Sequence, residues 1–245
     1  MIKDFSLYLY LQITDKILPS DYAGSFLFKE VLNVSELANN KNKKPFLNTR
    51  TMVSCAMLAA CATILMILEI PLPFIAPPFY EFDFSEIPVL IGAFSMGPVA
   101  GIIIEAVKIL LNLALNGTDT AFIGEIANFV IGCTFVVPAA FIYKHKKTKK
   151  SAVTGLIISG LSMSVLAVFI NAFVMIPLYC VLDPNITVEL ILNMGSDIFP
   201  FVDSMFDFCL VCVLPFNLIK VVLVSAITMF IYKPLSILIK GISNY

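Results

Sequence analysis

Polar and charged positions are bunched along this chain, leaving long runs of apolar residues between short polar breaks. Four runs reach the roughly 20 residues that a helix needs to cross a bilayer: residues 51–70, 120–143, 151–182 and 216–239. A fifth run, residues 87–115, reads either as one long helix or as two shorter ones. Its middle carries "MGPVAG", and Gly97 followed by Pro98 is a helix break.

The lysines decide between the two readings. Lys41, Lys43, Lys44 and Arg50 precede the first run, and Lys144, Lys146, Lys147, Lys149 and Lys150 fill the break between Tyr143 and Ser151. Basic residues collect on the cytoplasmic side of membrane proteins, so an even number of crossings must separate the two clusters. One span over 87–115 makes three crossings, and a break at Gly97 and Pro98 makes four. The expectation is an all-α integral membrane protein of six transmembrane helices with both termini cytoplasmic. Its second helix is short, about 10 to 14 residues, and must tilt or shelter against its neighbours. The outer loops this implies, 71–86, 116–119 and 183–214, contain no Lys or Arg but nine acids, from Glu81 to Asp207. Residues 1–45 have no strong period and form an N-terminal extension, disordered or interfacial, ahead of a membrane domain spanning 46–245.

Composition agrees and narrows the function. The 245 residues are 59% hydrophobic and 13% charged, with a mean hydropathy of +0.95, which is the membrane class. A net charge of -1 argues against nucleic acid as a partner. Six cysteines and one histidine, scattered, offer no metal site of recognisable spacing. Cys209 and Cys212 have C-x-x-C spacing inside "FCLVCVL", where buried thiols act as small apolar side chains. No phosphate-binding loop of the G-x-x-x-x-G-K type occurs, and His145 lies in a lysine run, so neither hydrolytic chemistry nor self-powered transport is indicated. The N-terminal region also lacks the succession of a cleavable signal peptide.

Polar groups inside the spans are expensive and therefore point to function. In "LPFNLIK", Pro215 suits the first turn of the sixth helix, and Asn217 and Lys220 then share one face of its outer half. Asn171 lies about twenty residues into the fifth helix, roughly 30 Å from the inner side, at the same depth. Glu125 and Asn128 repeat the three-residue spacing near the outer end of the fourth helix. Glu105 and Lys108 read either as a pair that holds the bundle together or as part of a transport relay. The first outer loop, "IPLPFIAPPFYEFDFSEIP", is stiff with proline and rich in aromatics. With Phe79, Tyr80, Phe82 and Asp83 it reads as a lid whose aromatic faces suit a planar ring. In "SCAMLAACAT", Ala56 and Ala60 give the first helix a small-residue face, for packing within the chain or for docking on another membrane subunit.

The stretches "EFDFSEIPVLIGAFSMGPVAGIIIEAVKILLNLAL", "GEIANFVIG", "FVVPAAFIYKHKKTKK", "NAFVMIPLY" and "PFNLIK" together closely resemble the riboflavin-binding S components of the energy-coupling factor (ECF) transporters. The resemblance covers about residues 45–240, with the motifs in the expected order. It implies a six-helix substrate-capture protein of the plasma membrane, bacterial in type. Such a protein has no enzymatic activity and no cofactor. It binds riboflavin from outside and works with a transmembrane coupling protein and two ATPases. Asn171, Asn217 and Lys220 match the family's motif residues, the first loop matches its gate, and Ala56 with Ala60 matches its docking motif. The amides could pair with the donor and acceptor edge of the flavin or with its ribityl hydroxyls, and the lysine could donate to either. The chain departs from the pattern in its long N-terminal extension and its expanded segment 183–214. An S component for another vitamin stays open, as does an ion-coupled carrier using Glu105, Lys108 and Glu125.

Overall fold

Gly97 and Pro98 divide the ambiguous run as their chemistry dictates. Gly97 adopts φ 106°, a left-handed value that suits glycine, and Pro98 opens the next helix where its missing N–H is harmless. A computed structural model describes residues 49–77, 80–118, 120–182 and 187–240; the extension 1–45, Phe79, Asp119 and Asp183 lie outside the described residues. Helix α1 (Thr49–Ile67) leads into a short antiparallel hairpin of β1 (Ile70–Pro71) and β2 (Glu81–Phe82), with Ile70 opposite Phe82. Then come α2 (Glu86–Met96), α3 (Pro98–Asn116) and α4 (Ile123–His145). Helix α5 (Lys149–Ile170) widens into a π-helical turn at Asn171–Met175 and continues as α6 (Ile176–Leu182). After α7 (Val188–Ile198), α8 (Met205–Phe208) passes through a second π-helical turn, Cys209–Val213, into α9 (Leu214–Lys240).

Among the described residues, five helical stretches are long and apolar enough to cross a membrane: α1, α3, α4, Lys149–Leu182 and Met205–Leu235. The sixth apolar helix, α2, has 11 residues, about 16 Å, and is too short to span hydrocarbon unaided. Its surroundings compensate. Nine of its 11 residues are buried, and it packs against α1, α3, α4 and α9. The outer faces of the long helices carry exposed apolar side chains such as Met57, Leu110 and Phe230, as contact with lipid tails requires. Inside, small residues let helices approach closely. A Cβ on Gly155 would sit 2.9 Å from the Ala139 carbonyl oxygen, so α4 and α5 meet backbone to backbone.

Two expectations need correction. The last span begins at Met205, well before residue 216, so Pro215 does not start a helix but lies within a continuous helical stretch. The preceding π-helical turn explains how it is tolerated: there the Leu214 N–H bonds to the Cys209 carbonyl, five residues back. The widened turn carries the carbonyls away from the proline ring that would otherwise strike them. The segment 183–214 is likewise not simply a loop, since it holds α7 and α8. Cys180, Cys209 and Cys212 are free thiols, and the last two are fully buried among apolar side chains.

Candidate functional site

The ends of six helices and the hairpin enclose a cavity of about 500 Å³, within the range of small-molecule sites. Asn171, Asn217, Lys220, Glu125 and Asn128 all line it, so one space gathers the five side chains singled out as substrate ligands. Asn171 is the first residue of one π-helical turn, and Asn217 follows the other by one turn of α9. Both amides satisfy backbone carbonyls of their own helix, Asn171 Nδ2 donating to Ala167 at 2.8 Å and Asn217 Nδ2 to Val213 at 2.9 Å. Each amide nitrogen carries a second proton, so the donors face the cavity pre-oriented. Phe216, Tyr80 and Tyr179 supply aromatic wall, and Met66, Met163 and Met175 supply adaptable apolar surface.

The predicted lid holds the site residues directly. Tyr80 donates from its hydroxyl to Asn171 Oδ1 at 2.8 Å, and its ring lies 5.8 Å from that of Phe216. Asp83 receives the Lys220 ammonium at 2.6 Å through Oδ2 and the Ser85 backbone N–H at 2.7 Å through Oδ1. Burial by itself would raise the Asp83 carboxyl. The positive charges of Lys220 and Lys108, with the bonds from Lys220 and Ser85, outweigh it and hold the group down at about 2. Phe82 behaves differently from the expectation. It is 3% exposed, packs edge-on against Phe84 at 4.8 Å, and supports the hairpin from beneath without lining the cavity. Phe79 lies outside the described residues.

Glu125 is set by a tight turn. Thr120 donates to its Oε2 at 3.2 Å and accepts from the Gly124 N–H at 3.0 Å, while Ala121 and Phe122 take left-handed backbone angles to reverse the chain. A side chain at Gly124 would collide with Thr120, which is why glycine stands there.

Behind the cavity lies an ion triad. Lys108, 1% exposed, contacts Glu105 at 2.7 Å and Glu86 at 2.9 Å, and donates to Ser85 Oγ at 3.3 Å. Charges this deep persist only when paired. Gly132 makes the room: a Cβ there would lie 2.3 Å from Glu105 Oε1. Glu105 and Lys108 pair within α3, and it is the contact of Lys108 with Glu86, a third member that spacing could not reveal, that ties α3 to the start of α2. Cavity residues also missed are Glu69, Asn116 and Tyr179. The only available signal was for Glu69, a lone acid at the end of an apolar run.

The small-residue face of α1 splits in two. Cys55, Ala59 and Thr63 are buried against the bundle, whereas Ala56 and Ala60 are exposed on the other side. Among the described residues no group of His, Cys, Asp and Glu is arranged to hold a metal ion.

Membrane-crossing helices around one polar cavity at a bundle end define a membrane-embedded binding protein. Residues 50–232 match the family "ECF transporter, substrate-specific component". The chain is 34% identical over 204 residues to the riboflavin transporter RibU of Staphylococcus aureus, covering 83% of this chain and all of that one. It is 28% identical over 190 residues to the riboflavin transporter FmnP of Bacillus subtilis, covering 76% of this chain and 92% of that one. A solved structure, described as the S component of a bacterial ECF transporter, superposes with a TM-score of 0.59 at 34% identity, over 78% of this chain and 98% of that one. The chain belongs to the substrate-specific components of ECF transporters. It is a multi-pass plasma-membrane protein and not an enzyme.

Proposed function

We propose that this protein captures riboflavin from outside the cell for uptake driven by a separate coupling protein and two ATPase subunits. The observation that carries this is one cavity lined by Asn171, Asn217, Lys220, Glu125 and Asn128 together, with Tyr80 bonded to Asn171 and Asp83 to Lys220. Its donors and acceptors match the polar edge and hydroxyl chain of a flavin, and its aromatic walls match the ring. The relatives named as riboflavin transporters support the same ligand. The hairpin loop, Phe79 included, acts as the gate, and Ala56 with Ala60 forms the docking face for the coupling protein. The exposure of both alanines on a membrane-spanning helix supports that role.

In this reading residues 46–245 form a binding domain that crosses the membrane six times, with both termini in the cytoplasm and residues 1–45 as an extension. The site lies at one end of the bundle, which suits capture at one face better than the midplane sites of rocking secondary carriers. Titrating the purified protein with riboflavin while following flavin fluorescence tests the assignment, the chain itself having no Trp to interfere. Quenching should saturate at one flavin per protein. The double variant Asn171→Ala, Asn217→Ala should bind about a hundredfold more weakly, since two buried polar contacts are lost. Wild-type affinity in that variant would show that the ligand sits elsewhere.

A further inference from the structure

The lysine end of the bundle carries a second cavity, of about 110 Å³, in which the substrate site has no part. It opens where α2 stops and α3 starts, beside the last residues of α4, with Ser95, Gly97, Tyr143, Lys144 and Lys147 in its wall. The space at Gly97 is clear, since a Cβ there would meet nothing within 4 Å. The hydroxyl oxygen of Ser95 is buried without a hydrogen-bond partner, which is costly unless a ligand bonds to it. Tyr143 adds no such demand. Its hydroxyl pairs with that of Tyr232 at 3.1 Å, and its ring packs against Phe94 at 4.9 Å.

Charge at this cavity is positive and unanswered. Among the described residues no ion pair or hydrogen bond engages the side chain of Lys144 or Lys147. The one acid of α4, Glu125, is at the opposite end of the helix. Helix ends do not reverse the sign. The C-terminus of α2 and the N-terminus of α3 meet at Gly97, so their partial charges offset each other. The C-terminus of α4 contributes about half a negative charge against two ammoniums.

Toward the bundle centre the flanks turn apolar and face outward. Phe141, one turn of α4 before Lys144, is 56% exposed, and Val99, two residues beyond Gly97, is 51% exposed. On helices that cross a membrane such side chains touch lipid tails. Ammoniums and an unmet hydroxyl at the membrane surface, with tail-contacting residues just beneath them, fit the two halves of one amphipathic molecule. We propose that this cavity binds the headgroup of an anionic phospholipid, with Lys144 and Lys147 holding its negative charge and Ser95 donating to a phosphate oxygen. A free phosphate ion would satisfy the same polar groups and leave the apolar flanks without use. In the orientation proposed above, the lipid belongs to the cytoplasmic leaflet. The site is independent of which vitamin the larger cavity takes.

The test follows the thermal midpoint of the delipidated full chain in mild detergent as dioctanoyl phosphatidylglycerol is added. Dioctanoyl phosphatidylcholine and inorganic phosphate are titrated separately. Wild type is compared with two double variants, Lys144→Gln with Lys147→Gln, and Lys146→Gln with Lys149→Gln. The second removes the same charge from the same run but from outside the cavity wall, and all four lysines are exposed, so neither variant disturbs the packing. Phosphatidylglycerol should raise the wild-type midpoint saturably, at concentrations at least about fivefold lower than phosphatidylcholine requires. The first variant should weaken phosphatidylglycerol at least about fivefold, and the second less than about twofold. Equal weakening in both variants would reduce the effect to diffuse surface charge and overturn the site, as would a midpoint indifferent to phosphatidylglycerol. Equal affinity for the two lipids, or a matching shift with inorganic phosphate alone, overturns the assignment to an anionic lipid.

Discussion

Asp83 and Glu69 sit on the same hairpin region and are driven in opposite directions by their neighbours. Asp83 is surrounded by cations and stays ionised, so its contribution to stability is present above its ordinary 3.8 and is lost only as pH falls through about 2. Partial burial, with Glu81 and Asp83 close by, raises Glu69 from 4.5 to about 7. A carboxyl raised in the folded state binds its proton more tightly there than in the unfolded chain. Its contribution is thus complete below 4.5 and is lost as pH rises through about 7. Between those limits Glu69 titrates and Asp83 does not. The thermal midpoint in detergent should therefore fall as pH rises from about 5.5 to about 8, and Glu69→Gln should flatten that slope. A slope unchanged in Glu69→Gln would place the titrating group elsewhere. Neither behaviour was legible from the sequence: Lys220 is 137 positions from Asp83, and Tyr80 is 91 from Asn171. What spacing did supply was the set of polar residues too costly to bury idle, and these are the ones that meet in the cavity.

At the scale of elements, the part of the fold written in local code was readable and the part written in hydrogen-bond register was not. Gly97 and Pro98 announce the break between α2 and α3 because both restrict the backbone on their own account. The two π-helical turns have no such signature beyond the prolines that follow them, Pro177 and Pro215. Each turn holds one residue more than an α-helical turn would, so the helix on one side is rotated by about 100° relative to a regular continuation. Because the turns face each other, they set which sides of α5 and α9 look into the cavity. Phe208, fully buried and 6.4 Å from the Tyr80 ring, depends on that rotation. A variant lacking Leu210 and carrying Pro215→Ala removes both the extra residue and the wedge that enforces it. It should still fold around the core residues Val221 and Val224 but bind flavin at least about tenfold more weakly, as a displaced wall loses its contacts. Unaltered affinity would mean that the turn relieves the proline without shaping the site.

Across the whole molecule, the cavity and the lysine run occupy opposite ends of the same helices. Glu125 and Asn128 are at the start of α4 and Lys144 is at its end; Lys149 opens α5, and Asn171 follows its last residue. Helix α2 runs the same way as α4. Its first residue, Glu86, lines the main cavity, whereas Ser95, Met96 and the following Gly97 line a smaller one of about 110 Å³ beside Lys144 and Lys147. The short helix therefore carries the chain from the cavity end to the lysine end, which supports four crossings between Arg50 and the lysine run and six in all. A bilayer would then have acids and the ligand site on one face and lysines on the other, as the asymmetry of basic residues requires. The six native cysteines can be replaced to allow labelling from one side at a time. In that background a cysteine at Lys147 should react with a membrane-impermeant maleimide only after the cells are opened, and one at Asn116 should react in intact cells. Labelling of the Lys147 cysteine in intact cells, and of the Asn116 cysteine only after opening, would remove α2 from the count of crossings and, with it, the assignment of the cavity to the outer face.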